Sequence, residues 1–526
     1  MRSRRTLLGS ALALVFASTL NVPALAADNA ARRIPIDLNA PTVARDRFAD
    51  LSVGSDFPGT LIRDDSLAQI KTAKEELGFR YIRFHGIFHD VLGTYKVVGG
   101  KPVYDWTRID YLYDKLLAMG IKPFVELGFT PEAMKTSDNS IFYWKGNTSH
   151  PDHAQWAPLV DAFVRHLQQR YGRDEVRTWF FEVWNEPNLD GFWEKADQPA
   201  YFALYDLTAR TIKAIDPQLR VGGPSTAGAA WVPEFLAHTQ KSGAAVDFIT
   251  THTYGVDGGF LDENGKGDTK LSASDDAIVG DVRKVRREIE ASYLPKLPLY
   301  FTEWSTSYTP RDPVHDSYVS APYILSKLKG SEGQLQGMSY WTYSDLFEEP
   351  GPPTAPFEGG FGLMNPQGIR KPAWFAYKYL HQLGEQEVRT PDAQSWVARD
   401  AKGGVQVLAW DFQKPDQGNK SNRPYYTTVQ PTRDGTPLAL ELKGMKPGTY
   451  TMQVYRTGFK ANDAHTTWLE MGKPKSLTQS QVAQLQALTV DKPETRQVKV
   501  AANGTASVQV PMRVNDVVLV KIAAKP

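Results

Sequence analysis

The chain has 526 residues, enough for one large hydrophobic core and a second smaller one, because single cores stop growing at about 250–300 residues. Its 60 basic and 59 acidic side chains nearly balance, which speaks against binding to nucleic acid or to an anionic membrane surface. The sequence contains no cysteine, which excludes disulfides, thiolate metal sites and cysteine nucleophiles.

Residues 1–26 have the pattern of a signal peptide. Three arginines among the first five residues precede an apolar stretch over residues 7–20, and Ala24-Leu25-Ala26 supplies the small residues that a signal peptidase recognises. The apolar stretch is shorter than the roughly 18–20 residues that span a bilayer, so a transmembrane anchor fits less well. We expect export to the periplasm or the medium, by the general secretory or the twin-arginine route, and no membrane contact after cleavage.

Between residues 47 and 385, short β-branched or aromatic segments alternate with longer segments of helical periodicity. Gly78, Gly120 and Gly172 mark the ends of three predicted helices. Eight strand and helix units in succession predict an α/β fold, the (β/α)8 TIM barrel. The predicted strands cover residues 51–56, 81–86, 121–129, 178–187, 220–225, 248–254, 298–305 and 337–345.

A doubly wound sheet is the alternative reading of the same alternation. Such a sheet often carries a glycine-rich dinucleotide fingerprint between its first strand and helix. The segments GGPSTAG (222–228) and GGFG (359–362) lack that glycine spacing and stand elsewhere in the chain. The barrel is therefore the preferred prediction.

After residue 385 the pattern changes to alternating strands separated by turn signals. Asn503-Gly504, between two alternating segments, predicts a β-hairpin. We expect residues 386–526 to form a β-sandwich accessory domain, joined by one further strand from residues 33–41. A role in supporting the barrel is favoured over a role in binding carbohydrate.

Two glutamates end predicted strands on opposite sides of the barrel. Glu186, in FEVWNEPNL, ends strand 4, and Glu303, in FTEWS, ends strand 7. Barrel enzymes place their active groups at these strand ends, so the two carboxyl groups can face each other across the mouth. Hydrolysis of a glycosidic bond needs such a pair, one acid for the leaving oxygen and one carboxylate that attacks or activates water. The alternative, two unrelated structural ion pairs, fits the Asn-Glu-Pro and Thr-Glu-Trp settings less well.

Other polar and aromatic residues at the strand ends would surround the two glutamates. Asn185 can bind a sugar hydroxyl next to the reacting carbon, while Tyr254 can donate to Glu303 and Arg83 can keep that group ionised. Taken singly, each is also compatible with a structural role in the core. Further candidates are His85, Glu126, His252, Trp341 and, as either a sugar platform or a core residue, Trp144.

Two other classes of hydrolase lack their motifs here. The sequence has no HExxH segment or clustered His/Asp spacing for a metal, and no GxSxG segment follows a predicted strand. Two carboxylic acids suffice for glycoside hydrolysis. We therefore expect neither a metal nor another cofactor.

Six long segments carry a family resemblance: RFHGIFHD (83–90), FYWKGNTSHP (142–151), WFFEVWNEPNL (179–189), THTYG (251–255), FTEWSTSYTPRDPVHDSY (301–318) and WTYSDLFEEPGPPTAPFEGGFGLMNPQGIRKPAW (341–374). They resemble glycoside hydrolase family 39, and within it the bacterial β-xylosidases. The resemblance covers the predicted barrel, from about residue 47 to 385. Segments of this length are far more specific than a lone Asn-Glu-Pro.

The resemblance implies a retaining mechanism, with Glu186 as acid/base and Glu303 as nucleophile. Retention requires the two carboxyl groups to lie about 5–5.5 Å apart. The resemblance also implies a subsite for the terminal sugar, lined by His85, Asn185, His252, Tyr254, Trp341 and Glu348 or Glu349.

The expected function is an exo-acting β-D-xylosidase that releases xylose from the non-reducing ends of xylo-oligosaccharides. Within the same family, an α-L-arabinopyranosidase, an α-L-iduronidase and an endo-acting glycan hydrolase are the alternatives. An iduronidase would need a cation for the sugar carboxylate. A non-catalytic sugar-binding protein is the alternative from another class, in which the two glutamates would only bind hydroxyl groups.

Overall fold

The computed structural model of the chain describes residues 31–524. The predicted signal peptide, residues 1–26, lies outside the described residues. Within the described range, no helix combines the length and the apolar character needed to cross a membrane.

Eight parallel strands close into a barrel in which each strand neighbours the next along the chain. This confirms the eight predicted barrel strands, although several end earlier than predicted. Strand 4 ends at Val183 and strand 8 at Tyr340, because the chain turns out of the ladder after each. The strands are β1 (Ser52–Gly54), β2 (Tyr81–Phe84), β3 (Lys122–Leu127), β4 (Phe180–Val183), β5 (Arg220–Thr226), β6 (Phe248–Tyr254), β7 (Leu299–Ser305) and β8 (Gly337–Tyr340).

A helix follows each barrel strand, as the periodicity predicts. The first of them ends at Gly78, whose φ of 79° is the left-handed conformation that glycine adopts without a steric penalty. The helices are α1 (Asp64–Leu77), α2 (Thr107–Ala118), α3 (His153–Tyr171), α4 (Gln198–Ile215), α5 (Val232–Ser242), α6 (Val279–Glu290), α7 (Ser320–Ser331) and α8 (Pro372–His381).

The barrel interior is apolar at one end and charged in the middle. Near the start of the strands, Phe124, Phe180, Phe248 and Tyr300 pack together, and the rings of Phe124 and Phe180 stack with centroids 4.4 Å apart. Side chains two residues further along a strand share the same face. The layer above the aromatic one therefore holds the buried polar residues Arg83, Glu126, Glu182 and Thr302.

Ten further strands form two sheets beside the barrel. These two sheets bury one shared set of apolar side chains. Arg32–Asp37 pairs in parallel with Leu438–Lys443, so the start of the described chain joins its C-terminal part. A three-stranded sheet contains Arg32–Asp37, Leu438–Lys443 and Thr505–Val510. A seven-stranded sheet contains Val43–Ala44, Gln386–Val388, Ser395–Arg399, Val405–Trp410, Val517–Ala524, Gly448–Thr457 and Glu494–Val500.

The predicted hairpin at Asn503-Gly504 is wrong in its pairing. A turn forms there, closed by the hydrogen bond from Gly504 N to Ala501 O, but the flanking strands belong to different sheets. Each strand has one apolar face, Val498 with Val500 and Val508 with Val510, and these faces meet in the shared core. The turn therefore carries the chain from one sheet to the other.

Smaller elements decorate both parts. The two-stranded pairs are Tyr95–Val98 with Lys101–Tyr104, Ser140–Ile141 with Gly146–Asn147, and Val256–Leu261 with Gly267–Leu271. The short helices are Pro58–Leu61, Arg173–Val176, Asn422–Tyr426, Ala464–Glu470 and Gln479–Ala487.

Candidate active site

The chain leaves β4 through a strained turn that aims Glu186 at the mouth of the barrel. Trp184 and Glu186 both have positive φ, 71° and 43°, a conformation that costs non-glycine residues of order 1–3 kcal/mol. The surroundings enforce it: Trp184 Nε1 donates to Phe192 O at 2.7 Å, and Glu186 N donates to Ser225 O at 2.8 Å. The buried WNE segment therefore holds one fixed pose.

Glu186 and Glu303 meet across the mouth, as their positions in β4 and β7 predict. One carboxylate oxygen of each lies within 4.8 Å of the other and of a nitrogen of His252. His252 Nδ1 is 2.8 Å from Glu186 Oε1 and 3.7 Å from Glu303 Oε2. The two acids are thus close enough to act on the same bond.

Glu303 accepts hydrogen bonds on both of its carboxylate oxygens. Arg83 Nη1 donates to Glu303 Oε1 at 2.6 Å, and the Tyr254 hydroxyl donates to Oε2 at 2.8 Å. The bond from Tyr254 agrees with the expectation from the sequence. Together the two donors fix the orientation of the Glu303 carboxylate.

Glu186 is in a different environment. Burial raises its pKa to about 7, against the opposing effects of His85 and Arg83. Burial also lowers the pKa of His252 to about 4, so this histidine is neutral near pH 7 and adds no positive charge beside Glu186. Glu186 can therefore hold, near neutral pH, the proton that a general acid must donate.

Arg83 is the centre of the charged layer beneath the site. It is fully buried, and Nε donates to Glu182 Oε2 at 2.5 Å while Nη2 lies 3.0 Å from Glu126 Oε2. Nη2 also donates to Asn185 Oδ1 at 2.8 Å, which orients that amide. Thr302 completes the layer by donating to Glu182 Oε1 at 2.7 Å. Glu126 and Glu182 are thus structural partners of Arg83.

One end of the site is formed by His85, Glu349 and Trp341. His85 Nδ1 lies 2.7 Å from Glu126 Oε2, and Nε2 lies 3.2 Å from Glu349 Oε1. Burial alone would lower the pKa of His85, but these carboxylates raise it well above its usual value. Burial also raises the pKa of Glu349 to about 8. The Trp341 ring packs on His85, with centroids 4.7 Å apart.

A cavity of about 440 Å³ opens between these residues. Asn185 and His252, which the sequence also predicts for the sugar subsite, are not among its lining residues; they contact Arg83 and Glu186, respectively. Six of the predicted residues line it: His85, Glu186, Tyr254, Glu303, Trp341 and Glu349.

Sequence reasoning missed much of the apolar wall. Phe142, Leu189, Phe192, Tyr308 and Phe361 also line the cavity. Each lies in a loop after a strand, and strand periodicity gives no direction for a loop side chain. Phe142, Leu189, Tyr308 and Phe361 do stand within the six resemblance segments, which was the available signal.

The structure does not bring Glu348 and Trp144 to the cavity. Glu348 Oε1 accepts from Arg63 Nη1 at 3.0 Å, on the far side of the loop from Glu349. Trp144 stacks on Phe57 with ring centroids 4.5 Å apart and donates from Nε1 to Asp56 Oδ1 at 3.1 Å. Adjacent loop residues point in opposite directions, which separates Glu348 from Glu349, and Trp144 takes the packing role left open for it.

Glu186, His252 and Glu303 each offer one atom to a cluster that a cation could occupy. Glu303 is already in contact with Arg83, a permanent positive charge 2.6 Å away. A second cation there would meet that charge, so an acid pair explains the cluster better than a metal site.

Comparison with known proteins places the chain. The profile of glycosyl hydrolases family 39 matches residues 33–507. A β-xylosidase of Geobacillus stearothermophilus is 39% identical over an alignment of 387 residues. The alignment covers 71% of this chain and 76% of the relative. A β-xylosidase of Caldicellulosiruptor saccharolyticus is 36% identical over an alignment of 448 residues. That alignment covers 84% of this chain and 88% of the relative.

The fold also matches solved structures. The crystal structure of a monomeric β-xylosidase from Caulobacter crescentus CB15 superposes with a TM-score of 0.92 at 66% identity, covering 94% of this chain and all of the other. The chain is therefore a glycosidase, and it belongs to glycosyl hydrolases family 39.

Proposed function

We propose that the chain is an exo-acting, retaining β-D-xylosidase with Glu303 as nucleophile and Glu186 as acid/base. The observation that carries this proposal is the environment of the two glutamates. One oxygen of each lies within 4.8 Å of the other, which is nearer to the roughly 5–5.5 Å separation of retaining enzymes than to the roughly 6.5–9.5 Å of inverting ones. Arg83 and Tyr254 each donate a hydrogen bond to Glu303, and burial raises the pKa of Glu186 to about 7, so Glu186 holds a proton below that pH.

In the first step, a Glu303 oxygen attacks the anomeric carbon as the bond to the leaving oxygen breaks. Glu186 gives its proton to that oxygen, so the leaving sugar departs as a neutral alcohol. The product is a covalent glycosyl ester of Glu303. Tyr254, bonded to the other oxygen of Glu303, keeps the carboxylate oriented during the attack.

In the second step, Glu186 is a carboxylate and takes a proton from water. The water oxygen attacks the anomeric carbon from the face that the first leaving group vacated, and the ester bond to Glu303 breaks. The sugar is released with its original configuration. Both glutamates return to their starting protonation states.

The shape and lining of the cavity support exo action. His85, Glu349 and Trp341 contact one another in the lining, which suits the binding of a single terminal sugar. Asn185 contacts Arg83, and its Nδ2 has no hydrogen-bond partner among the described residues. That donor is suited to a hydroxyl beside the reacting carbon. The β-xylosidase names of the two bacterial relatives support xylose as the sugar.

The leaving group lies on the Glu186 side, because that acid must reach the leaving oxygen. There the cavity is lined by Leu189, Phe192, Ala227 and Gly228, and across from them by Tyr308. Apolar and aromatic side chains of this kind pack against the faces of sugar rings. We infer that the substrate is a xylo-oligosaccharide with its second sugar in this region.

We also propose that residues 1–26 direct export and are removed, and that the two sheets beside the barrel act as a β-sandwich accessory domain that supports it. N-terminal sequencing of the protein secreted by its own cells tests the first point. A mature chain that begins at residue 1 would contradict it.

A panel of nitrophenyl glycosides tests the function. The purified protein is mixed with the β-D-xylopyranoside, the α-L-arabinopyranoside, the β-D-glucopyranoside and the α-L-iduronide under one condition. We expect the xyloside to react fastest. Faster release from another glycoside would mean that the enzyme prefers a different sugar within the family. No release from any of the four, with xylo-oligosaccharides also left intact, would contradict exo-xylosidase action.

A further inference from the structure

The segment Gly359–Gly362 lies beside the cavity, yet the mechanism above does not use its sequence, GGFG. A Cβ atom at Gly360 or at Gly362 would overlap Asp345, and one at Gly359 would overlap the backbone of Asp312. Gly359 also has a φ of 83°, in the left-handed region. Glycine at these positions thus lets the backbone itself lie against its neighbours.

A buried lysine from a distant part of the chain anchors this segment. Lys371, just before α8, has no exposed surface, and its Nζ lies 2.7 Å from Asp316 Oδ1 and 2.7 Å from Asp345 Oδ2. The third contact of Nζ is a 2.8 Å hydrogen bond to Gly360 O. The ammonium group therefore lies within 2.8 Å of three oxygen atoms. We call Lys371, Asp316 and Asp345 the Lys371 cluster.

The two aspartates continue the contacts to the same segment. Asp316 Oδ2 accepts from Gly359 N at 2.6 Å, and Asp345 Oδ1 accepts from Gly362 N at 2.6 Å. Together with the lysine, they bind the backbone of three of the four residues in the segment. Charge-assisted bonds in a dry interior are strong, so the segment has one well-defined position.

The residue held in that position is Phe361. It is 2% exposed, it lines the cavity, and it forms a buried aromatic cluster with Trp341 and Phe347, against which Tyr254 packs. Tyr254 in turn donates to Glu303 Oε2 at 2.8 Å. A continuous set of contacts therefore runs from the Lys371 cluster through Phe361 to the partner of the proposed nucleophile.

We propose that Lys371 is a positioning residue for glycoside hydrolysis. Its buried charge fixes the segment Gly359–Gly362, so that Phe361 holds Tyr254 and Trp341 in place around the terminal sugar. Without the charge, the two aspartates lose their shared partner and the segment can shift. This inference rests on the proposed function, since its readout is turnover of a glycoside.

The test compares two buried lysines. Lys371→Met keeps the length of the side chain and removes its charge. Lys327→Met is the matched control, because Lys327 on α7 is only 6% exposed and its Nζ donates to Asp275 O at 2.9 Å, away from the cavity. Steady-state kinetics on nitrophenyl β-D-xyloside are measured below the unfolding temperature of every variant, with circular dichroism as the check of folding.

We expect Lys371→Met to lower kcat/KM about 10- to 100-fold, with a raised KM, because small misplacements of contact residues have effects of that size. The control should stay within about twofold of the wild type even if its melting temperature falls. Wild-type kinetics in folded Lys371→Met would overturn the inference. Equal losses of kcat/KM in both variants would also overturn it, because the loss would then follow general stability.

A double-mutant cycle with Phe361→Ala locates the effect. If Lys371 acts through Phe361, the added loss from Lys371→Met is much smaller in the Phe361→Ala background. The same loss in both backgrounds would contradict that path. If Lys371→Met does not fold, Gly360→Ala replaces it, since its methyl group displaces the segment and leaves every charge in place. A wild-type protein inactive on all glycosides would instead contradict the proposed function.

Discussion

Glu303 accepts a hydrogen bond from Arg83 on one oxygen and from Tyr254 on the other, so its orientation is set by the fold before any substrate arrives. Glu303→Gln keeps the shape and removes the proposed nucleophile. We expect kcat on nitrophenyl β-D-xyloside to fall by several powers of ten, because the covalent step disappears. Turnover near that of the wild type would show that another group attacks the sugar.

The pKa of Glu186, raised to about 7 by burial, predicts the alkaline side of the pH profile. Glu186 must be protonated to act as the acid, and it loses that proton as the pH rises through 7. We therefore expect kcat/KM for an alkyl xyloside to fall about tenfold per pH unit above roughly pH 7. A flat profile up to pH 9 would contradict the role of Glu186.

The variant Glu186→Ala provides the control for that assignment. It should lose least activity on a dinitrophenyl xyloside, whose leaving group needs no proton. Added azide should restore turnover and give the β-xylosyl azide, because azide attacks the glycosyl-enzyme from the vacated face. An α-xylosyl azide would show that the enzyme inverts.

Arg83 is a structural requirement as well as a partner of the nucleophile. Arg83→Met leaves Glu126, Glu182 and Glu303 buried with no guanidinium among them. Removing one partner of buried ion pairs costs about 3–5 kcal/mol of stability. Urea unfolding measures it, with Arg283→Met as the control, because Arg283 forms an exposed pair with Asp276 worth about 0–1 kcal/mol. If both variants lost the same free energy of unfolding, the buried charged layer would contribute no more stability than an exposed ion pair.

Among the elements, the end of β1 requires glycine at position 54, because a side chain there would have no space. A Cβ at Gly54 would overlap the Trp341 ring, so the ring occupies the space that a side chain would need. We expect Gly54→Ala to displace Trp341 and raise KM for the xyloside several-fold, with a smaller effect on kcat. Gly267→Ala is the control, since a Cβ there has open space. An unchanged KM in Gly54→Ala would remove Trp341 from the sugar subsite.

The elements were predictable where one periodicity decided them. Alternation of eight apolar runs with helical segments was enough for the barrel, because each run is buried on both sides by a closed sheet and a helix. The segment around Asn503-Gly504 was not predictable in the same way. A turn motif fixes a local bend, whereas the choice between pairing and crossing to another sheet depends on which core the apolar faces share.

At the scale of the whole molecule, the site joins residues from strands that are distant in sequence. Glu186, His252 and Glu303 could be placed together because a barrel gathers its strand ends at one mouth. The apolar wall could not, because loops after the strands supply Phe142, Leu189 and Phe192. For the same reason the sequence did not separate Glu349, which lines the cavity, from Glu348, which pairs with Arg63.

The proposed mechanism requires a covalent bond between Glu303 and the sugar, and this intermediate can be trapped. The protein is incubated with the 2,4-dinitrophenyl glycoside of 2-deoxy-2-fluoro-β-D-xylose, whose fluorine slows the second step more than the first, and is then digested for mass spectrometry. With Glu303 as the nucleophile, we expect one added fluoroxylosyl group on the peptide that contains FTEWS, attached to Glu303 itself. A label on another carboxylate, or fast turnover of the wild type on xylosides with inversion and no label, would contradict it.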